Sequence, residues 1–422
     1  MPFATPLVLA AMNAASCEAT RLETHGFSRV DVAVVEEVLP RALPACFDGA
    51  ELAEFERRLW TLGIFDDVKI ECSGGALDVT VREKWTLIPG IDFSTAATLR
   101  DSYFFVSLVE SNTAGRAIEC GFYGAYYERA FSGETWCGEH PFGARRLSFE
   151  VNANYVGSGF VFDDEPYIWE RRRAGGRLGM RLPFPYGSSW RFAVLPLGYH
   201  EAVKGNYEDG TGGPPPGMAD SGWFGGVGLR AVHDAYEWHD LVPKGFRFGV
   251  EVTPGVFFSD DDRTGRHALT AQSLAAFRFS QRTGLVTNVV GEAVNAGDVN
   301  HSFLLGSNSA WRGSFGTVGG VRGLPDNRNR DAQHLFSNVE LRHSVGLTSR
   351  LFLQGAAFVD GGVYRRMNSA GQVLKAEPAL SGGVGLRLLP TFLAWAIVRV
   401  DGGRLFLPEP DWFVQISFSQ YL

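Results

Sequence analysis

Val321-Arg322-Gly323 lies in a Gly- and Asn-rich segment running from about Gly297 to Arg330, followed by the strand-like run Leu335-Phe336-Ser337-Asn338-Val339-Glu340-Leu341-Arg342. A loop that long between two alternating strands is more often functional than a mere connection. Its Arg needs an acid, and Glu340 and Asp360 are the downstream candidates, Asp360 within Phe358-Val359-Asp360-Gly361-Gly362. Two carboxylates around one guanidinium form paired, charge-assisted hydrogen bonds in a fork that Lys cannot reproduce. For that to happen Phe358, Asp360 and Gly362 must share one strand face, turned away from lipid, where a charge is costly.

Other chemistry is hard to find. The chain has no Gly-x-Ser-x-Gly elbow, no Walker loop and no Cys-x-x-Cys, and His200-Glu201 lacks the second His of a zinc-protease helix. The expectation is a protein with no catalytic residues, no metal ligands and no cofactor.

The elements that must position the loop are strands. The 422 residues suffice for a small domain plus a large one, and Gly 51, Phe 32 and an aromatic share of 13% fit many strands and tight turns. After the N-terminus no apolar run reaches the ~18 residues of a transmembrane helix. A net charge of -8 argues against nucleic acid as a partner, since phosphate binding needs a concentrated basic surface. The compact basic run Arg171-Arg172-Arg173 alternates its side chains on a strand, which suits a solvated face better than a phosphate site.

Residues 1–17 read as a secretory signal, with an apolar stretch from Pro2 to Ala15 and small residues before Cys17, although no Lys or Arg precedes it. Cys17 is also a candidate for lipidation. The remaining cysteines, Cys46 and Cys72 in the N-terminal region and Cys120 and Cys137 flanking one hairpin, are candidate disulfide partners, leaving Cys17 over.

Between residues 18 and 84 the pattern is mixed. Val32 to Leu39 reads as a short helix; a second begins at Asp48, with Glu51 completing a capping box, an apolar stripe of Leu52, Phe55, Leu59 and Leu62, and Gly63 as its stop. Val68-Lys69-Ile70 and Leu77-Asp78-Val79-Thr80-Val81 then alternate as two strands. From residue 85 to 422 the period is two throughout: Phe248, Val250 and Val252 face one way and Arg247, Gly249, Glu251 and Thr253 the other. Sixteen strands are read, from 86–95 through 334–345, 350–363 and 392–401 to 411–421. Short turns such as Asn112 to Gly115 and Gly346 to Ser349 alternate with long loops such as Lys204 to Ser221 and Arg365 to Glu377, the asymmetry of a transmembrane β-barrel. The fold class expected is therefore mainly β, a 16-stranded antiparallel transmembrane β-barrel after one small α/β domain.

These motifs together resemble the outer-membrane β-barrel assembly family of BamA and TamA type. There a loop folded into the barrel carries Val-Arg-Gly-aromatic, and its Arg meets an acid of a Phe-x-Asp-x-Gly strand and another in the strand after the loop. The resemblance implies that the loop 298–333 folds inward, with Arg322 as the loop Arg, Asp360 its main partner and Glu340 the second; Leu324 stands where the aromatic is usual. Gly383, Gly385, Arg387, Arg399 and Asp401 resemble the family's penultimate strands. Leu59-Trp60-Thr61-Leu62-Gly63-Ile64-Phe65-Asp66 and Val79 to Trp85 resemble a POTRA domain, of which one fits before the barrel. By that resemblance the chain sits in the bacterial outer membrane with its POTRA domain in the periplasm and inserts unfolded outer-membrane proteins at a weak seam between first and last strands. Its partners would then be those clients, the bilayer, and periplasmic chaperones or accessory lipoproteins. A translocation pore of the two-partner secretion kind and a structural or lipid-handling barrel are the alternatives.

Overall fold

The computed structural model describes residues 17–94, 103–127, 130–139, 148–161, 168–182, 189–204, 221–237, 241–260, 263–294, 320–324, 331–366, 372–394 and 396–420. The signal assigned to 1–17 lies outside them, except that Cys17 opens the first strand. An N-terminal unit comprises β1 (Cys17–Ala19), β2 (Arg21–His25), α1 (Ala33–Val38), β3 (Ala45–Phe47), α2 (Gly49–Thr61), β4 (Phe65–Ser73) and β5 (Ala76–Glu83). The α2 helix starts where the capping box requires: the Asp48 carboxylate accepts from the Glu51 N–H at 2.8 Å, and Glu51 Oε2 accepts from the Asp48 N–H at 3.1 Å. Its stripe buries Phe55 and Leu59 in a core with Phe47, Ile64, Phe65, Leu77 and Val79. The sheet order is β2-β5-β4, with β2 parallel and β4 antiparallel to β5.

The cysteine pairing differs from the Cys46–Cys72 expectation. Cys72 is joined to Cys17, and Cys46 is free and exposed. The reason is strand parity: β1 pairs with β3 so that Cys17 lies opposite the buried Phe47, and Cys46, next to Phe47 on the strand, points to the other side. With its sulfur committed, Cys17 offers no thiol for a lipid. Cys120 and Cys137, by contrast, lie directly opposite each other on neighbouring strands and are joined.

The rest of the chain closes a sixteen-stranded antiparallel barrel. Its strands are β6 (Leu87–Ser94), β7 (Tyr103–Thr113), β8 (Ile118–Tyr127), β9 (Ala130–Glu139), β10 (Ser148–Val161), β11 (Ile168–Arg181), β12 (Trp190–Lys204), β13 (Ser221–Glu237), β14 (Lys244–Phe258), β15 (Arg263–Arg278), β16 (Thr283–Val294), β17 (Asp331–Gly346), β18 (Leu351–Arg366), β19 (Glu377–Pro390), β20 (Ala396–Leu407) and β21 (Asp411–Gln420). Alternation sorts each strand: on β19, Val384 and Leu386 are exposed while Ser381 and Arg387 are buried; on β14, Val252 is exposed and Glu251 buried. An apolar outer band around a polar interior is the arrangement a bilayer demands of a barrel. Strand ends shift from expectation by up to six residues, and two shifts bear on the site. β17 begins at Asp331, inside the stretch read as loop, and β20 runs from Ala396 to Leu407 rather than over 392–401, because Thr391 to Ala394 form a turn with partners elsewhere.

The N-terminal unit is docked on one rim, called proximal below; the opposite rim is distal. The β7–β8 turn carries left-handed backbone at Ala114, Gly115 and Ala117, which brings Ala117 into the core of the unit. Gly115 approaches so closely that a Cβ would lie 2.8 Å from the Arg29 carbonyl, while its own carbonyl accepts the Asp31 N–H at 2.8 Å. Arg116 reaches Glu37 at 2.6 Å and Asp31 at 3.4 Å.

Glu83, at the end of β5, fastens the segment that meets this turn. Burial pushes its carboxyl up, but the N–H groups of Ser28, Val30 and Arg29 outweigh burial and hold it below its ordinary value. A folded-state pKa below the unfolded one gives stability that is full above the unfolded value and is lost as pH falls through the folded one. Hydrogen exchange at the amides of Ser28, Arg29 and Val30 should therefore be slower in the parent than in Glu83→Gln at pH 7, and the two should converge as pH falls below the ordinary carboxylate range, after correction for intrinsic exchange. A gap that does not change with pH would contradict this.

Candidate functional site

Residues 320–324 lie inside the barrel, where Val321, Arg322 and Leu324 are buried. Of the predicted inward loop 298–333, residues 298–319 and 325–330 are outside the described residues, and 331–333 open β17. Arg322 is held from three strands. On β18, Asp360 takes two parallel bonds, Nε to Oδ2 at 2.6 Å and Nη2 to Oδ1 at 2.8 Å, and its Oδ2 also accepts the Arg322 backbone N–H at 3.2 Å. On β17, Glu340 accepts from Nη1 at 3.1 Å. On β20, Asp401 accepts from the same Nη1 at 3.0 Å. The guanidinium also stacks on Phe358, its Cζ 3.4 Å from the ring centroid.

Strand parity makes this possible. Glu340 faces Phe358 across β17 and β18, and Asp360 faces Ser381 across β18 and β19, so alternate residues of four successive strands converge on the lumen. Around the three acids stand three further arginines: Arg342 bonded to Glu340, Arg387 at 2.6 Å from Glu340 and 3.8 Å from Asp401, and Arg399 at 3.1 Å from Asp401. The cluster thus holds four guanidinium groups and three carboxylates, all less than a tenth exposed. Paired and hydrogen-bonded in this way, charges can be retained where single ones could not.

The loop tip is fixed by apolar and amide contacts as well. Leu324, where an aromatic was expected by resemblance, packs in a cluster with Val321, Phe336, Tyr364, Ala379 and Leu405. Gly323 has φ +83, and a Cβ there would come within 2.2 Å of the Phe413 ring on β21. On the other flank, Gln272 donates to Asn288 at 2.9 Å, Asn288 to Asn338 at 3.4 Å, and Asn338 to the Gly320 carbonyl at 2.7 Å. This amide row runs from β15 through β16 and β17 to the loop.

The residues picked out by sequence, Val321, Arg322, Gly323, Glu340, Phe358, Asp360 and Gly362, are therefore brought together; Gly362 serves close strand approach, since a Cβ there would lie 2.1 Å from the Leu335 carbonyl. Sequence reasoning missed Asp401 as a direct partner, although it had placed that residue in a strand of interest. It also missed Phe413, and it named Asn338, Arg342, Arg387 and Arg399 without assigning them a contact in the cluster. Each sits at a lumenal parity position, which was the available signal.

The barrel closes where β21 meets β6. Among the described residues they pair only from Ile91↔Phe418 to Ser94↔Gln415, whereas β17 and β18 pair along nearly their whole length. Pro89 lies in β6 just beyond that pairing and has no N–H to give a ladder. The seam is thus flanked by strands that carry loop partners, Asp401 on β20 and Phe413 on β21.

Removing Arg322 strands three acids without their shared cation. Arg322→Ala is expected to lower stability by about 3–5 kcal/mol, read as a shift in denaturant midpoint in lipid vesicles. Arg322→Lys should recover only part of this because it loses the fork. A change within about 0.5 kcal/mol, the range of an ordinary surface substitution, would show that the cluster does not hold the loop.

No protein-family model matches the chain, and no curated protein matches it. Solved structures do. CdiB from Acinetobacter baumannii is similar with a TM-score of 0.57 and 14% identity, over 95% of this chain and 73% of that one. CdiB from Escherichia coli gives 0.54 and 13%, over 98% and 92%. BamA from Haemophilus ducreyi lacking POTRA domains 1-3 gives 0.50 and 10%, over 95% and 84%. At such identities the likeness is one of fold.

Proposed function

We propose that this chain is an outer-membrane protein that assists the folding and insertion of other β-barrel proteins, by offering the edge of its poorly paired seam as a template. The observation that carries the reading is the seam itself: β6 and β21 share a short described ladder beside strands gripped by an internal loop. An edge with unpaired N–H and C=O groups accepts another strand. Extending a client sheet there needs no nucleotide, metal or catalytic side chain.

In this reading the proximal rim faces the periplasm, and the unit from residue 18 to 84 is a single POTRA-like domain. Its β-α-α-β-β core, with β2 beside β5 and β4 on the other flank, leaves two sheet edges for recruiting unfolded clients. Periplasmic chaperones or accessory lipoproteins would deliver those clients. The Arg322 cluster keeps the wall beside the seam ordered while the seam itself exchanges partners. The likeness to CdiB as well as BamA keeps translocation of a polypeptide through the lumen as the competing outcome.

Reconstitution separates the two. Purified protein in liposomes, given an unfolded barrel client with and without a periplasmic chaperone, should accelerate client folding as read by protease protection and heat modifiability. Deletion of residues 18–84 or Arg322→Ala should abolish the acceleration. Liposomes that conduct ions or pass a polypeptide inward, with no effect on client folding, would overturn the assembly reading in favour of translocation.

A further inference from the structure

Trp85 is the middle residue of the three-residue link, 84–86, between β5 of the N-terminal unit and β6 of the barrel. Its N–H donates to the Phe392 carbonyl at 2.9 Å, and its carbonyl accepts the Ala394 N–H at 2.8 Å, forming a parallel bridge opposite Leu393. Residues 391–394 belong to the proximal turn between β19 and β20. Because β21 stands between β20 and β6 in the wall, this bridge passes across the proximal end of the last strand. It joins the strand on one side of the seam to the hairpin on the other.

The bridge is not an incidental surface contact. Ala394 is fully buried, and the next link residue, Thr86, is buried as well and accepts the Ser111 N–H of β7 at 3.2 Å. The Trp85 indole donates to the Leu87 carbonyl at 2.7 Å, which fixes the ring against the start of β6. From the N-terminal unit, the Arg29 guanidinium stands 5.7 Å from the indole centroid and donates to the Lys84 carbonyl. Arg29 is in turn fastened through its backbone N–H to Glu83. One short segment is therefore shared by the unit, by β6 and by the turn beyond β21.

A seam that separates must move β6 away from β21. With Trp85 bonded to the 392–394 turn, the proximal end of β6 stays tethered to the β19–β20 hairpin, and separation there requires the bridge to break. We propose that Trp85 and the 392–394 turn form a clasp that holds the seam shut at its proximal end, and that displacement of the N-terminal unit through Arg29 and Glu83 releases it. This rests on the reading of the seam as the working edge. It adds to that reading a positioning residue, Trp85, and a route by which a client bound on the N-terminal unit opens the edge.

The test uses the full chain in lipid nanodiscs, in a Cys46→Ser background that removes the free thiol. Seam opening is read by hydrogen exchange at the amides of residues 91–94 and 415–418. Ala394→Pro deletes the N–H given to Trp85, and loss of such a bond should lower protection at those amides about fivefold to tenfold while leaving β13 to β15 unchanged. Unchanged seam protection, with the barrel otherwise intact, would overturn the clasp. Should Ala394→Pro fold poorly, the pair Trp85→Cys with Leu393→Cys serves instead: oxidised, it should raise seam protection and stop client folding, and reductant should restore both relative to a reduced Cys46→Ser control. An oxidised pair that leaves seam exchange as fast as in the parent also overturns the proposal. Failure of the assembly reading looks different. In that case the parent folds no client, while the seam amides still respond to Ala394→Pro and to the lock.

Discussion

Arg322 carries a full charge into the interior of the barrel, and much of the local architecture is arranged to compensate it. Three acids from β17, β18 and β20 meet one guanidinium, a phenyl ring backs it, and three more arginines bond the same acids, so that four cations share three carboxylates. No one strand could supply this. The cluster forms only when a set of strands has the right stagger, so the same ion network that holds the loop also reports that the wall is in register. Removing a partner costs more than the pair gains, because a buried charge would be left uncompensated.

The consequences reach the closure of the barrel. Asp401 and Phe413 place the loop tip against the last two strands, Gly323 being able to approach the Phe413 ring because it has no Cβ. On the lumenal side β21 is thus contacted by the loop, and at its proximal end it is spanned by the Trp85 bridge. Among the described residues its ladder to β6 is short by comparison with those elsewhere in the wall. In the proposed function, rigid surroundings around one movable junction divide stability sensibly, since the parts that move are drawn from the low-stability end of a structure.

Much of this was legible beforehand because it depends on local rules. Period two along Phe248 to Thr253 forced the alternation that the barrel displays, and Asp48 with Glu51 marked the start of α2 to the residue. Arg322, Glu340 and Asp360 were legible because the loop Arg and its acids occur in recognisable short motifs. What stayed hidden depends on tertiary geometry. Asp401 lies 79 residues from Arg322, and only the inward loop and the pairing of β17 through β20 bring them together. Phe413 reads in sequence as one more aromatic of a membrane strand, yet parity turns it inward. The three-residue strands β1 and β3 are too short to show a period, and without them the pairing of Cys17 with Cys72 could not be deduced. Trp85 reads in sequence as the boundary where the barrel pattern begins; its role as a bridge depends on a turn some 300 residues later, at 391–394.

The loop and the strand beside the seam are joined through a single shared cation. A double-mutant cycle of Arg322→Ala and Asp401→Asn, followed by denaturant unfolding in vesicles, measures that link directly. Strong coupling is expected, with the double variant less unstable than the sum of the singles by roughly 1–3 kcal/mol. Additivity within about 0.5 kcal/mol would mean that the two residues stabilise the barrel independently, and would contradict the link.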